Sequence, residues 1–168
     1  MRGQDEYKLA NKLLVAAYKY RNIALSLENK MKHYKEALGK FDEARWYSQH
    51  YGVETPEGEA ISEYLSKIRS LASLQDELYG DLNISEALWS DKLQNLFLEL
   101  FELAYDFEIT FYDHADPEPL PDGVISSILN SNFKMPTFND DEETEGNKRD
   151  IHLIISDIEE ILKPKLKS

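Results

Sequence analysis

Apolar residues recur at steps of three and four along most of this chain, and that periodicity commits it to helices. Leu13, Ala17, Tyr20, Ala24 and Leu27 step 4-3-4-3, which lines them up on one helical face and predicts an amphipathic helix over 5–28. Tyr34, Leu38, Phe41 and Ala44 repeat the pattern over 31–49, with Gly52 as the stop. Thr55-Pro56 then reads as a helix start: the threonine caps, and proline at the first position gives up an N–H that has no helical partner anyway. Ile61, Leu65, Ile68, Ala72 and Leu78 carry a third helix to Gly80, where glycine suits the residue after a helix end. Asn83 or Ser85 opens a fourth and most apolar helix, with Leu93, Leu96, Phe97, Leu100, Ala104 and Phe107 on one face, running to Tyr112. Only Phe107-Glu108-Ile109-Thr110-Phe111 alternates like a strand, and it continues a helical face, so it is read as helix end.

Beyond Tyr112 the period is lost. Three prolines between Asp113 and Gly123 predict an extended linker, followed by a short turn over Val124–Leu129. Residues 131–148, with the run Asp140-Asp141-Glu142-Glu143-Thr144-Glu145, read as a solvated acidic loop. A last helix over 149–163 carries Ile151, Ile154, Ile155, Ile158, Ile161 and Leu162, and Pro164 is expected to block its continuation. The expected fold is all-α: four long helices as antiparallel hairpins in a TPR-like solenoid, an irregular Pro-rich and acidic segment, and a docking C-terminal helix. A chain of 168 residues can bury one core, so a single domain over 1–168 is expected.

Charge narrows the function. The net charge of −13 argues against a duplex-binding protein, and no nucleic-acid partner is expected. Cysteine is absent, which removes disulfides, thiolate-ligated metals and Cys nucleophiles and permits a reducing compartment. The apolar runs fall far short of the ~20 residues of a membrane span, and Met1 opens no visible signal peptide. The charge is also segregated: residues 1–50 carry a net +4 and residues 51–168 a net −17. Lys8, Lys12 and Lys19 fall on one side of the first helix, with Lys30, Lys32 and Lys35 just beyond. Such a shelf is either a solvated face or a seat for an acidic peptide or an anionic lipid surface.

Catalytic patterns are thin. None of His33, His50, His114 and His152 follows a glutamate by three residues, so the helical di-iron unit is missing, as is the His-Glu-x-x-His zinc motif. No Gly-rich phosphate loop, Gly-x-Ser-x-Gly elbow or Walker lysine is present. Arg45 and His50 stand at an Arg-x4-His spacing that resembles the motif of HEPN ribonucleases, which need a cation beside an imidazole. Trp46, however, stands where that family has a polar residue, and a helix-end histidine near Gly52 accounts for the spacing. Glu99, Glu102 and Asp106 share a helical side and read as a solvated stripe. No catalytic, cofactor-binding or metal-ligating residue is assigned, and an enzyme is not expected.

Four stretches carry a family likeness. Asp106-Phe107 through Phe111-Tyr112-Asp113-His114 and Pro117 resemble a helix ending in an aromatic-Tyr-His/Asp sequence before a Pro-rich segment. Gly58-Glu59-Ala60-Ile61-Ser62-Glu63-Tyr64-Leu65 resembles a Gly-Glu-x-Ile-x-x-Leu helix start. Glu43-Ala44-Arg45-Trp46-Tyr47-Ser48-Gln49 is similar to the helix before it, and Lys8-Leu9-Ala10-Asn11 to the helix before that. In order and spacing these resemble the second half of the BRO domain, the family of Alix, rhophilin and fungal PalC, over residues 8–125. The family's domain is about twice as long, and the acidic loop and Ile-rich last helix have no counterpart in it.

The resemblance implies a non-enzymatic adaptor, cytoplasmic and peripheral at endosomes, acting in endosomal sorting or fungal ambient-pH signalling. Its implied partner is the C-terminal helix of the ESCRT-III filament subunit, held in an apolar groove, with the endosomal membrane met indirectly. On this reading Lys8, Lys12 and Lys19 face an acidic helix, Tyr112 matches an exposed family tyrosine, and Leu120, Val124 and Ile125 line the groove edge. The missing half would leave apolar surface that favours self-association. The competing expectation is an unrelated acidic helical interaction or inhibitor protein that binds a basic partner.

Overall fold

The left-handed backbone of Gly52 and the capping side chains of Thr55, Ser90 and Asp150 punctuate the described helices. The structure is a computed structural model that describes residues 3–115 and 149–167. Among them are six helices: α1 Gly3–Asn29, α2 Met31–Leu38, α3 Phe41–Tyr51, α4 Pro56–Trp89, α5 Asp91–Ala115 and α6 Ile151–Leu166. No strand occurs among the described residues, as the helical period requires.

The caps explain the boundaries. Gly52 adopts φ 63°, and its N–H returns to the Ser48 carbonyl at 3.0 Å, which closes α3. Thr55 Oγ1 accepts the Gly58 N–H at 3.1 Å and opens α4 with Pro56 at its first position. Asp150 accepts from the His152 N–H at 2.7 Å and opens α6.

Four expected boundaries are corrected. The helix over 31–49 is two helices: Lys40 turns out of helical conformation at φ −109°, ψ 24°, beside side-chain-free Gly39. The third helix does not stop at Gly80 and none begins at Asn83 or Ser85, because α4 runs on to Trp89. Leu78, Leu82 and Ser85 stay buried on one stripe, so burial outweighs the weak helix preference of one glycine. The break falls at Ser90, φ 141°, whose Oγ accepts the Lys92 N–H at 3.3 Å at the start of α5. Helix α5 then continues past Tyr112 to Ala115. Finally, Pro164 lies inside α6: in the last turn it forfeits one helical bond, and Lys165 stacks over the Trp89 ring at 4.7 Å.

The described residues form two units, each with its own core. The first takes residues 3–22, 74–102 and 149–167. Leu13, Ala17 and Tyr20 of α1, Leu78 and Leu82 of α4, Phe97, Leu100 and Phe101 of α5, and Ile154, Ile155, Ile158 and Leu162 of α6 are buried in it. Its rim is tied by Lys12–Asp81 at 2.7 Å and by Arg149, which bridges Glu99 at 2.8 Å and Asp157. The Tyr18 hydroxyl donates to Glu159 at 2.6 Å.

The second unit takes residues 23–73 and 103–115. Ala24 and Leu27 of α1, Tyr34, Ala37 and Leu38 of α2, Ala44 of α3, Tyr64, Ile68 and Leu71 of α4, and Ala104, Phe107 and Phe111 of α5 are buried in it. Its aromatic rings are set obliquely or edge to face: Tyr34 on Tyr64 at 5.1 Å and Phe41 on Phe111 at 5.8 Å, geometries that aromatic pairs favour. The Tyr64 hydroxyl donates to the Phe107 carbonyl.

Candidate docking surface

Ala44 is the buried residue of helix α3 and Phe41 packs against Phe111, while Trp46, Tyr47 and Tyr51 face outward. The apolar step that buries Tyr34, Leu38 and Ala44 next reaches Ser48, so Trp46, Tyr47 and Tyr51 fall off the stripe. Trp46 is 45%, Tyr47 38% and Tyr51 63% exposed, and Val53 adds a further exposed apolar side chain. The rings touch one another: Trp46 stacks on His50 at 4.5 Å and meets Tyr47 and Tyr51 edge-on at 5.2 and 5.4 Å. Scattered apolar residues on a surface are ordinary; these rings instead form one contiguous exposed cluster.

Carboxylates border this cluster. Asp42 and Glu43 lie one turn before Trp46 and Tyr47, on the same helix faces, and both are exposed. Residues 41–63 hold six carboxylates against one arginine. A cavity of about 60 Å³ opens beside the rings, lined by Lys40, Glu43, Ala44, Tyr47, Thr55 and Glu57. Lys40 reaches Glu57 across it at 3.6 Å.

The His50 imidazole meets the Trp46 carbonyl at 3.0 Å and stacks on the Trp46 ring, and no hydrogen bond joins it to Arg45 among the described residues. Glu99 is held by Arg149. No group of three or more His, Asp or Glu side chains among the described residues is placed to hold a metal ion. No helix among them is long and apolar enough to cross a membrane.

The lysines singled out on α1 separate into two kinds. Lys8 and Lys19 are exposed with no ion pair among the described residues, whereas Lys12 is committed to Asp81. Tyr112 is 41% exposed, and its hydroxyl is pushed up from its ordinary value by burial and by Glu108 one turn earlier. Leu120, Val124 and Ile125 lie outside the described residues, as do the Pro-rich segment and acidic run 140–145.

Two features escaped sequence reasoning. The aromatic trio was visible as three rings within six residues that the apolar step does not need. Glu108 is the other: it sits on the buried stripe of α5 between Phe107 and Phe111 while Ile109 faces out. Desolvation pushes its carboxyl up to about 7.

Comparison with known proteins returned no family, no curated relative and no solved structure that matches this chain.

Proposed function

We propose that this chain is a protein-binding module that acts without bond-making chemistry and docks a partner chain on the α3 surface. The observation that carries this reading is the contiguous exposed cluster of Trp46, Tyr47 and Tyr51. Tryptophan and tyrosine are the residues most often found at the energetic centre of protein interfaces, since they bury large area with few rotors. Replacing Trp89 by phenylalanine leaves Trp46 as the one indole, so its emission reports on the surface. Peptides of basic, neutral and acidic character are then titrated; at least one class is expected to shift the emission saturably, and Tyr51→Ala to weaken it. Silence from every class overturns the reading.

The adaptor of BRO type is the second reading, and the free, co-facial Lys8 and Lys19 favour it. It places an amphipathic ESCRT-III helix against α1, in a solenoid of antiparallel hairpins working at endosomes. Charge reversal at Lys8 and Lys19 tests it, with Lys12 left intact because Lys12→Glu would set two carboxylates together at Asp81. Micromolar binding of the ESCRT-III helix peptide that weakens in the double variant supports this reading. Unchanged or absent binding removes it.

A further inference from the structure

We infer that the partner presents arginine to the α3 surface, a conclusion that rests on the docking reading above and names its partner class. Three observations converge on it. The rings are bordered by carboxylates rather than by neutral side chains: Asp42 precedes Trp46, and Glu43 precedes Tyr47 and Tyr51, each at a spacing that stacks them along one face. Neither Asp42 nor Glu43 has an ion pair among the described residues. The cavity beside Tyr47 already admits a cation of the chain itself, since Lys40 spans it to Glu57 at 3.6 Å.

The chemistry selects among partners. A polyanion would meet Asp42 and Glu43 beside the rings, exposed carboxylates with no ion pair among the described residues, and be repelled. A purely apolar partner would strip water from Asp42 and Glu43 and leave them unpaired, which is costly. A basic partner satisfies rings and carboxylates together. Arginine does so better than lysine: its planar guanidinium stacks on an aromatic face while its fork of N–H groups grips a carboxylate. One face of Trp46 is taken by His50, so Tyr51 and the cavity wall at Tyr47 remain for the guanidinium. Glu43 and Glu57 line that cavity and would accept its hydrogen bonds. Lys40 then competes with the ligand for Glu57.

The test titrates the Trp89→Phe protein with hexa-arginine, hexalysine, hexaglutamate and a neutral apolar peptide, following Trp46 emission and calorimetric heat. Hexa-arginine is expected to bind saturably and to weaken with salt, hexalysine to bind several-fold more weakly, and hexaglutamate not at all. Glu43→Gln with Glu57→Gln should weaken hexa-arginine several-fold, and Lys40→Gln should tighten it, with unchanged circular dichroism. Asp42→Asn serves in place of the double variant should the latter misfold. Equal affinity for the two basic peptides, or indifference to the carboxylate and Lys40 variants, overturns the inference. Binding of the neutral peptide alone also overturns it, yet leaves the docking reading standing. Emission that depends on protein concentration without any peptide assigns the surface to a second copy of this chain and overturns the arginine partner.

Discussion

The Gln75 side-chain amide donates to the Tyr20 hydroxyl at 3.0 Å, joining α4 to α1 through a polar contact inside an apolar core. Tyr20 is fully buried and Gln75 is 4% exposed, so neither can turn to water. The Tyr20 hydroxyl lies 3.4 Å from the Phe101 main-chain carbonyl, to which it donates. Removing one member of such a pair leaves the other desolvated and unsatisfied, at about 1–3 kcal/mol. Tyr20→Phe is therefore expected to cost stability in that range by urea denaturation. Adding Gln75→Leu should return part of the loss, because the orphaned amide goes with it. Simple additivity of the two would refute the coupling.

Gly80 gives an opposite sign of effect. It lies within α4 on an exposed side, and a β-carbon there meets nothing within 4 Å. Gly80→Ala should stabilise the protein by roughly 0.5–1 kcal/mol, since it removes backbone freedom from the unfolded chain. Gly52, at φ 63°, should respond the other way, with Gly52→Ala costing about 1 kcal/mol. Thermal midpoints of both variants check the pair; destabilisation by Gly80→Ala would restore a helix end at that residue.

Glu108 sets a pH dependence. Its carboxyl titrates near 4.5 in the unfolded chain and is pushed up to about 7 by burial in the folded one. Between these values the folded state holds the extra proton, so stability falls as pH rises from about 4.5 to 7 and is level beyond. The loss amounts to a few kcal/mol at most, at ~1.4 kcal/mol per pKa unit. Glu108→Gln should flatten that fall and raise the denaturation midpoint at pH 8 relative to pH 4. A variant with the parent's slope would show that another group sets it.

The Thr55 cap is expected to matter more than the surface ion pairs. Its Oγ1 satisfies the Gly58 N–H, one of the groups at the start of α4 that have no partner within the helix. Thr55→Ala should cost about 1 kcal/mol. Lys30→Ala, which breaks an exposed pair with Glu63 at 2.9 Å, should cost well under that, since exposed pairs rarely exceed ~1 kcal/mol. Lys67 also grips Glu63 at 2.9 Å; together the two hydrogen bonds hold that carboxyl down at about 2. Chemical denaturation of the two variants ranks them.

The core stripes of α1 and α5 were legible because their apolar spacing has no competing reading, and every residue of both stripes is buried. Thr55-Pro56 and Gly52 were legible because each does one local job that a side chain or a left-handed backbone must do. Gly80 and Pro164 misled because both are stop signals by propensity alone: Gly80 is overruled by the burial of Leu78 and Leu82 on either side, and Pro164 is tolerated because in the last turn it forfeits only one helical bond. The true break had its own signal in Ser90-Asp91, a capping residue before an acidic first turn. In α4 the stripe runs through Tyr64, Leu71 and Gln75, with Leu65 and Ala72 only half-buried. The purely apolar step misses it because two of its members carry polar groups, the Tyr64 hydroxyl bonding the Phe107 carbonyl and the Gln75 amide the Tyr20 hydroxyl. The α3 cluster is harder to see because helical spacing places aromatic residues on a helix without saying which face has room for them.

Neither unit is drawn from an unbroken run of chain, for α1, α4 and α5 each begin in one and finish in the other. A gene break or protease nick inside any of these three helices would therefore damage both halves at once. Recombination could not trade one of them away, and the two must be inherited, synthesised and degraded as a single piece.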